Sequence, residues 1–140
     1  MPQGQKTILA IEDNEDIRQL IALILEDAGF AVLTCANGSD GLTLARSEHP
    51  DLILLDFMMP GMNGLEVLSE LRQDLDPRIQ AIPVLMLTAK SADEDRDGAL
   101  AKGATAYLLK PFKPEKLVEE VLSIFNAVKL RPQYEPESMG

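Results

Sequence analysis

Residues 52–64 read Leu-Ile-Leu-Leu-Asp-Phe-Met-Met-Pro-Gly-Met-Asn-Gly. Four aliphatic residues run straight into an aspartate and then into a turn containing proline and glycine. A short apolar run bounded by turn residues reads as a strand covered on both faces. Packing gives no reason for such a strand to end in a carboxylate, so Asp56 stands out. The same pattern recurs outward from this segment. Residues 7–11, 31–36, 83–88 and 105–109 are further short runs rich in Ile, Leu, Val and Ala. Amphipathic stretches separate them. In the first, Ile17, Leu20, Ile21, Ile24, Leu25 and Ala28 follow a helical period, and Gly29 closes it. The second covers about 39–48, with Leu42, Leu44 and Ala45 as its apolar members; the third covers about 64–73, with Leu65, Val67, Leu68 and Leu71. The fourth, about 93–102, is polar, contains Gly98 and is closed by Gly103. The fifth opens at Pro114, where proline is tolerated, and turns Leu117, Val118, Val121, Leu122, Phe125 and Val128 inward. Strict strand–helix alternation with short connections predicts a parallel sheet with helices on both faces. Five units are too few for a barrel of about eight, so the expectation is a doubly wound five-stranded α/β sheet of order 2-1-3-4-5 with five helices.

The chain has 140 residues, 46% of them apolar and 26% charged, which suits one globular domain. We place that domain at 6–128 and read 129–140, interrupted by Pro132 and Pro136, as a short tail or truncated linker. The longest apolar runs, 52–55 and 82–87, are too short to cross a bilayer, and residues 1–6 lack the apolar stretch of a secretory signal. A single cysteine, Cys35, cannot form an internal disulfide. A cytoplasmic setting without membrane association is therefore expected. With 13 basic and 23 acidic residues the net charge is −10, so direct nucleic-acid binding is not expected.

In open α/β sheets, ligands bind outside the carboxyl ends of the strands near the switch in strand order. Glu12 and Asp13 follow the first strand, Asp56 ends the third, Thr88 ends the fourth and Lys110 follows the fifth. Three acids, a hydroxyl and a lysine thus converge on one rim. With Lys110 ionised, the three acids still leave an excess of two negative charges. A divalent cation relieves this at neutral pH, and hard oxygen donors favour Mg²⁺, with Mn²⁺ as the alternative. An aspartate left free to react is a nucleophile that can form an acyl phosphate. Lys110, Thr88 and the ion then supply the positioning and charge neutralisation that phosphoryl transfer needs.

The order and spacing of Glu12-Asp13, Asp56 with 59–64, Thr88-Ala89, Gly103-Ala104, Tyr107-Leu108 and Lys110-Pro111-Phe112 resemble the receiver domains of two-component response regulators. The resemblance runs from about 6 to 128 and implies a flavodoxin-like fold. It implies Asp56 as phosphoacceptor, Asp13 as direct Mg²⁺ ligand, Glu12 acting through water, and the Met58 backbone carbonyl as a further ligand. Lys110 would pair with Asp56 and its phosphoryl group. Thr88 with Ala89 would meet a phosphoryl oxygen, and Tyr107 would shift inward. Lys110–Pro111 would be a cis bond. The implied phosphodonor is a phosphohistidine on a sensor histidine kinase or histidine phosphotransfer protein, docking near the first helix, where Ala22 and Leu23 lie off the buried stripe. The implied output is a protein-interaction surface made by the fourth helix, fifth strand and fifth helix, read by a partner or by a homodimer. Such a domain catalyses only its own phosphorylation and dephosphorylation. Two positions depart from the family pattern: Glu12 and Asn63 both stand where aspartate is commoner. In the family that the chain resembles, the positions two beyond the acceptor and two beyond the threonine, here Met58 and Lys90, tune the lifetime of the phosphorylated state.

Other readings compete. Glu12, Asp13, Glu15 and Asp16 also fit a helix N-terminus, where the dipole favours acids. Tyr107 fits a plain core aromatic as well as a moving ring. His49, in a loop before Pro50, reads as neither ligand nor base, and Cys35 reads as core. A metal-dependent phosphatase with an aspartyl nucleophile is the strongest rival, but Met58, two residues past Asp56, cannot act as acid or base. A flavin-binding module would share the strand order, yet the loop at 12–16 would repel a phosphate lacking a metal.

Overall fold

The computed structural model describes residues 5–89 and 93–129, and the side chains of 93–96 and 128–129 are outside what is described. Lys90, the inward turn of Val128 and the proposed tail beyond Lys129 therefore lie outside the described residues. The elements alternate as β1 (Thr7–Ile11), α1 (Glu15–Asp27), β2 (Ala31–Cys35), α2 (Gly38–Glu48), β3 (Leu52–Asp56) and α3 (Gly64–Arg72). They continue as α4 (Pro77–Gln80), β4 (Val84–Thr88), α5 (Asp93–Ala101), β5 (Ala106–Leu109) and α6 (Pro114–Lys129). The sheet has the order β2-β1-β3-β4-β5, with every pairing parallel. It is the doubly wound architecture expected, with six helices among the described residues instead of five. The extra helix is the single turn α4. Asp76 caps it by accepting from Arg78 N at 2.9 Å, and Pro77 occupies its first turn. One turn is too short to show a hydrophobic period, which is why the pattern missed it.

Residue alternation divides the core into two layers. Leu9, Ile11, Ile53, Leu55, Val84 and Met86 pack with α2, α3, α4 and Ala99 of α5 on one face. Ile8, Ala10, Leu52, Leu54, Leu85, Leu87 and Leu108 pack with α1 and α6 on the other. Burial on both faces explains why β1, β3 and β4 read as continuous apolar runs. Three residues expected inside are not, the first being Ala28, exposed just past the end of α1. Leu20 of α1 is 46% exposed and Leu122 of α6 is 47% exposed. Both flank a stripe whose centre, Ile21 and Leu25 in α1 and Leu117 and Val121 in α6, is buried. Periodicity locates the middle of a stripe better than its edges.

The ends of the helices follow local chemistry. Asn14 caps α1 by accepting from Ile17 N at 3.0 Å, and Gly29 follows it with φ 101°, a left-handed conformation that a Cβ penalises. Asn63 and Glu66 form a reciprocal capping box on α3 at 2.8 and 2.9 Å. Asn63, one of the two departures from the family pattern, thus does the capping work an aspartate would do. At the opposite end of the sheet, Arg72 donates to the carbonyls of Gly103 (3.0 Å) and Gln80 (2.9 Å), tying α3 to α4 and to the turn before β5.

Two glycine substitutions should have opposite signs. A Cβ at Gly64 would lie 2.5 Å from the Asp56 carbonyl oxygen and 2.9 Å from the Phe57 Cα, both backbone. A Cβ at Gly98 would meet nothing within 4 Å. Gly64→Ala is expected to destabilise the fold by ~1–3 kcal/mol, and Gly98→Ala to stabilise it by up to about 1 kcal/mol, measured as shifts in urea unfolding free energy.

Candidate functional site

The backbone ladder continues one residue beyond the strand ends and so carries the polar residues to one level. Glu12 N donates to Cys35 O (3.1 Å), Phe57 N to Leu87 O (2.7 Å) and Lys110 N to Thr88 O (2.8 Å). Side-chain alternation then selects the face. Glu12 continues the series Ile8 and Ala10, Asp56 continues Leu52 and Leu54, and Lys110 continues Ala106 and Leu108. All three series pack on the α1–α6 side, so the three polar side chains meet there. Thr88 continues Val84 and Met86 of the opposite layer. It is buried at the end of β4, next to the others in the ladder.

Lys110 Nζ lies 2.8 Å from Glu12 Oε1 and 3.1 Å from Asp56 Oδ1. Glu12 is 1% exposed and Asp56 3% exposed, whereas Asp13 is open to solvent. One carboxylate oxygen from each of Glu12, Asp13 and Asp56 falls within 4.8 Å of the other two. The remaining contacts hold these acids in place. Asn14 N donates to Glu12 Oε2 at 3.1 Å, and Met58 N makes a long 3.4 Å contact with Asp56 Oδ1. Arg18, one turn into α1, donates from Nη1 to the main-chain oxygens of Glu12 (3.0 Å) and Asp13 (3.4 Å). The sequence reading passed over Arg18. The signal available was a long cation one turn past the Asn14 cap, since helical side chains lean toward the N-terminus.

The electrostatics follow from crowding. Burial and the neighbouring Glu12 push the Asp56 carboxyl up to about 7 from 3.8, although Lys110 pulls the other way. Burial works against the Lys110 ammonium, but its pairing with Glu12 and Asp56 outweighs this and raises its pKa. One ammonium does not satisfy the pocket. Glu12 Oε1 is buried and, despite the nearby Lys110, accepts no hydrogen bond of acceptable geometry. An oxygen-only donor set of three carboxylates facing a single ammonium is under-neutralised and fits Mg²⁺ or Mn²⁺.

Among the other residues considered, Lys110–Pro111 is cis, as expected. Tyr107 is half-buried and packs at the margin of the α2–α5 layer, which leaves both readings of it standing. Met58 is 58% exposed and Ala89 is exposed beside the rim. Glu15 and Asp16 are exposed in the first turn of α1, so helix-end stabilisation accounts for them and not for Glu12 and Asp13. His49 ends α2 with φ 49° and lies 3.6 Å from Asp76, remote from the rim. Cys35 is half-buried, and burial pushes its thiol up to about 11. No helix among the described residues is long and apolar enough to cross a membrane.

A doubly wound five-stranded sheet with this acidic rim defines the receiver class of signalling domains, and comparison with known proteins agrees. The model of the response regulator receiver domain family matches residues 8–122, and the chain belongs to that family, which serves two-component systems. It is 39% identical over 121 residues to the DNA-binding response regulator MtrA of Mycolicibacterium smegmatis, a match covering 86% of this chain and 51% of the relative. It is 37% identical over 124 residues to the probable transcriptional regulator ycf27 of Porphyridium aerugineum, covering 89% and 50%. Among solved structures, chemotaxis protein CheY4 of Vibrio cholerae aligns with a TM-score of 0.81 and 35% identity, covering 86% of this chain and 99% of that one.

The chain spans about half the length of the curated relatives it matches. These relatives overturn one expectation, that nucleic acid is not a direct partner, because MtrA is named as DNA-binding. The charge argument fails for a physical reason. A net charge of −10 describes these 140 residues, and it carries no information on the half of a DNA-binding relative that they do not match.

The Asp56 shift has a consequence for stability. A folded pKa raised above the unfolded value contributes stability that is present below pH 3.8 and lost as pH rises through about 7. In chelator, Asp56→Asn should remove that loss and leave the variant more stable than the parent at pH 8, by roughly 2–4 kcal/mol. The two should converge near pH 4. Denaturant titrations at the two pH values check both statements, and equal stability at pH 8 would contradict the crowded-carboxylate account.

Proposed function

We propose that this chain is a phosphorylation-driven receiver in which Asp56 takes a phosphoryl group from a phosphohistidine. The observation that carries this reading is a nearly buried aspartate ion-paired to Lys110, with two further carboxylates within reach of one shared ion. A carboxylate oxygen of Asp56 forms the bond to phosphorus while the P–N bond of the donor breaks, and the electron pair leaves on the imidazole nitrogen. Lys110, already between Glu12 and Asp56, pairs with the oxygens of the transferred group and limits the growth of negative charge. Asp13, Asp56 and the Met58 carbonyl would hold Mg²⁺ or Mn²⁺, with Glu12 acting through water; bound there, the ion supplies charge neutralisation. Thr88 and Ala89 receive the new phosphoryl oxygens, and Tyr107 responds by turning inward.

The donor is a sensor histidine kinase or a histidine phosphotransfer protein. Leu23, 65% exposed on α1, and the half-buried Ala22 offer it apolar surface near the rim. The output surface is α5, β5 and α6. In support, Ala99 is the one buried residue among the described side chains of α5, so little apolar contact holds that helix. An open groove beside it is lined by Leu100, Tyr107, Leu109, Lys113 and Lys116. For the whole protein, the relatives' names make DNA-directed control part of the reading; for these residues the output is a changed protein contact, self-association included. A cytoplasmic setting goes with this function. The chain acts as a switch that processes its own phosphate and turns over no external substrate. Neither rival has a specific observation in its favour: Met58 offers no acid or base, and the loop after β1 is anionic.

Incubation with Mg²⁺ and acetyl phosphate, followed by intact mass, should show a single phosphoryl adduct. Asp56→Ala and excess chelator should each abolish it, and Lys110→Ala should slow its formation by roughly 10²-fold. An adduct that survives Asp56→Ala would place the chemistry elsewhere, and sustained turnover of a phosphomonoester would favour the phosphatase.

A further inference from the structure

Arg18 is a half-buried guanidinium on the first turn of α1, within six residues of four acids: Glu12, Asp13, Glu15 and Asp16. Its hydrogen bonds nevertheless go to main-chain oxygens. Nη1 reaches Glu12 O at 3.0 Å and Asp13 O at 3.4 Å. Glu12 is fixed by two further hydrogen bonds. Glu12 N donates to Cys35 O at 3.1 Å, and Glu12 Oε2 accepts from Asn14 N at 3.1 Å. Asn14 in turn caps the helix that carries Arg18, by accepting from Ile17 N at 3.0 Å, and Arg18 N closes the turn on Asn14 O at 2.9 Å. The link between β1 and α1 is therefore a closed circuit. Without Arg18, two carbonyl oxygens behind a pocket of like charges would lose their donor.

The structure assigns Arg18 the role of a positioning residue for the acidic site, holding the main chain of Glu12 and Asp13 so that their carboxylates face Asp56 at ion-sharing distance. This role rests on the proposed ion-assisted phosphoryl transfer at Asp56. Like charges displace the link between β1 and α1 when no cation is bound, and the two hydrogen bonds from Arg18 to its carbonyl oxygens limit that movement by tying the link to the first turn of α1. The site is then preorganised, and binding an ion does not have to reassemble it.

The assignment has a sign that separates it from a plain charge effect. A cation near a divalent-ion site repels the incoming ion, so if Arg18 acted through its charge alone, removing it would tighten binding. If it positions the acids, removing it loosens binding. The test measures Mn²⁺ affinity by electron paramagnetic resonance for the parent, Arg18→Ala, Arg18→Gln and Arg18→Lys, with the melting temperature in chelator recorded alongside. Arg18→Ala should bind Mn²⁺ about five- to tenfold more weakly, the scale of the net contribution of one ordinary hydrogen bond. Arg18→Gln keeps an N–H donor without the charge and should recover part of the loss. With acetyl phosphate, the Mg²⁺ concentration for half-maximal phosphorylation should rise in Arg18→Ala by a similar factor, while the maximal rate stays within about twofold. If Arg18→Ala fails to fold, Arg18→Gln and Arg18→Lys carry the same comparison. Affinity in Arg18→Ala or Arg18→Gln equal to or tighter than the parent would overturn the role while leaving the site intact. A parent protein that binds no Mn²⁺ would overturn the ion site itself.

Discussion

Two nearly buried carboxylates share a single ammonium at the edge of this sheet, with a third carboxylate alongside. Lys110 sits 2.8 Å from Glu12 and 3.1 Å from Asp56, so one positive charge faces two negative ones. Low dielectric strengthens the attraction to Lys110 and the repulsion among the acids alike, and the repulsion is not cancelled. The raised pKa of Asp56 expresses this directly. Such a pocket is a reservoir of unfavourable charge, and any species that brings positive charge to it is stabilised by relieving it. Sites of this kind trade stability for chemistry, and the pairing of Lys110 keeps the trade within what the fold tolerates.

The fold delivers that pocket through backbone regularity. Parallel strands carry Glu12, Asp56 and Lys110 to one level, and period-two alternation turns all three toward the α1–α6 side. Gly64 lets the start of α3 lie against the Asp56 and Phe57 backbone, where Gly64 N donates to Phe57 O at 3.0 Å. The segment after Asp56 is thereby tied down, while at the far end of the sheet Arg72 stitches α3, α4 and the turn before β5 together. Rigidity is concentrated around the acids and at the opposite edge. The α5 helix, with Ala99 buried and Gly98 open to space, stands outside both.

Much of this was readable before the structure. The five strands, their order and the set of acids at the rim follow from apolar runs that end in polar residues, because that pattern has few other causes. Strand ends moved by a residue at most, as when β2 stopped at Cys35 and β4 began at Val84. The misreadings share a cause, which is that they depend on contacts far apart in sequence or too short to be periodic. The single turn α4 is set by its Asp76 cap and Pro77 rather than by a stripe. Leu20 and Leu122 fall at stripe margins that only neighbouring elements could define. Arg18 bonds carbonyl oxygens, groups that every residue carries and that leave no trace in a motif. The exclusion of nucleic acid failed differently, since a charge count has no information about a relative twice as long.

Glu12 and Asp13 are neighbours in sequence, but their burial is opposite: one carboxylate is enclosed and the other is wet. The pairing Ile11↔Leu55 fixes which is which. A slip of β1 by one residue against β3 would exchange the two faces of β1, moving Leu9 and Ile11 into the layer of Ile8 and Ala10, and also put Asp13, a methylene shorter, in the place of Glu12 beside Lys110. Misassembly of the core and loss of the acidic cluster are therefore a single event. In this molecule, correct strand register and an assembled acidic pocket can each be inferred by observing the other.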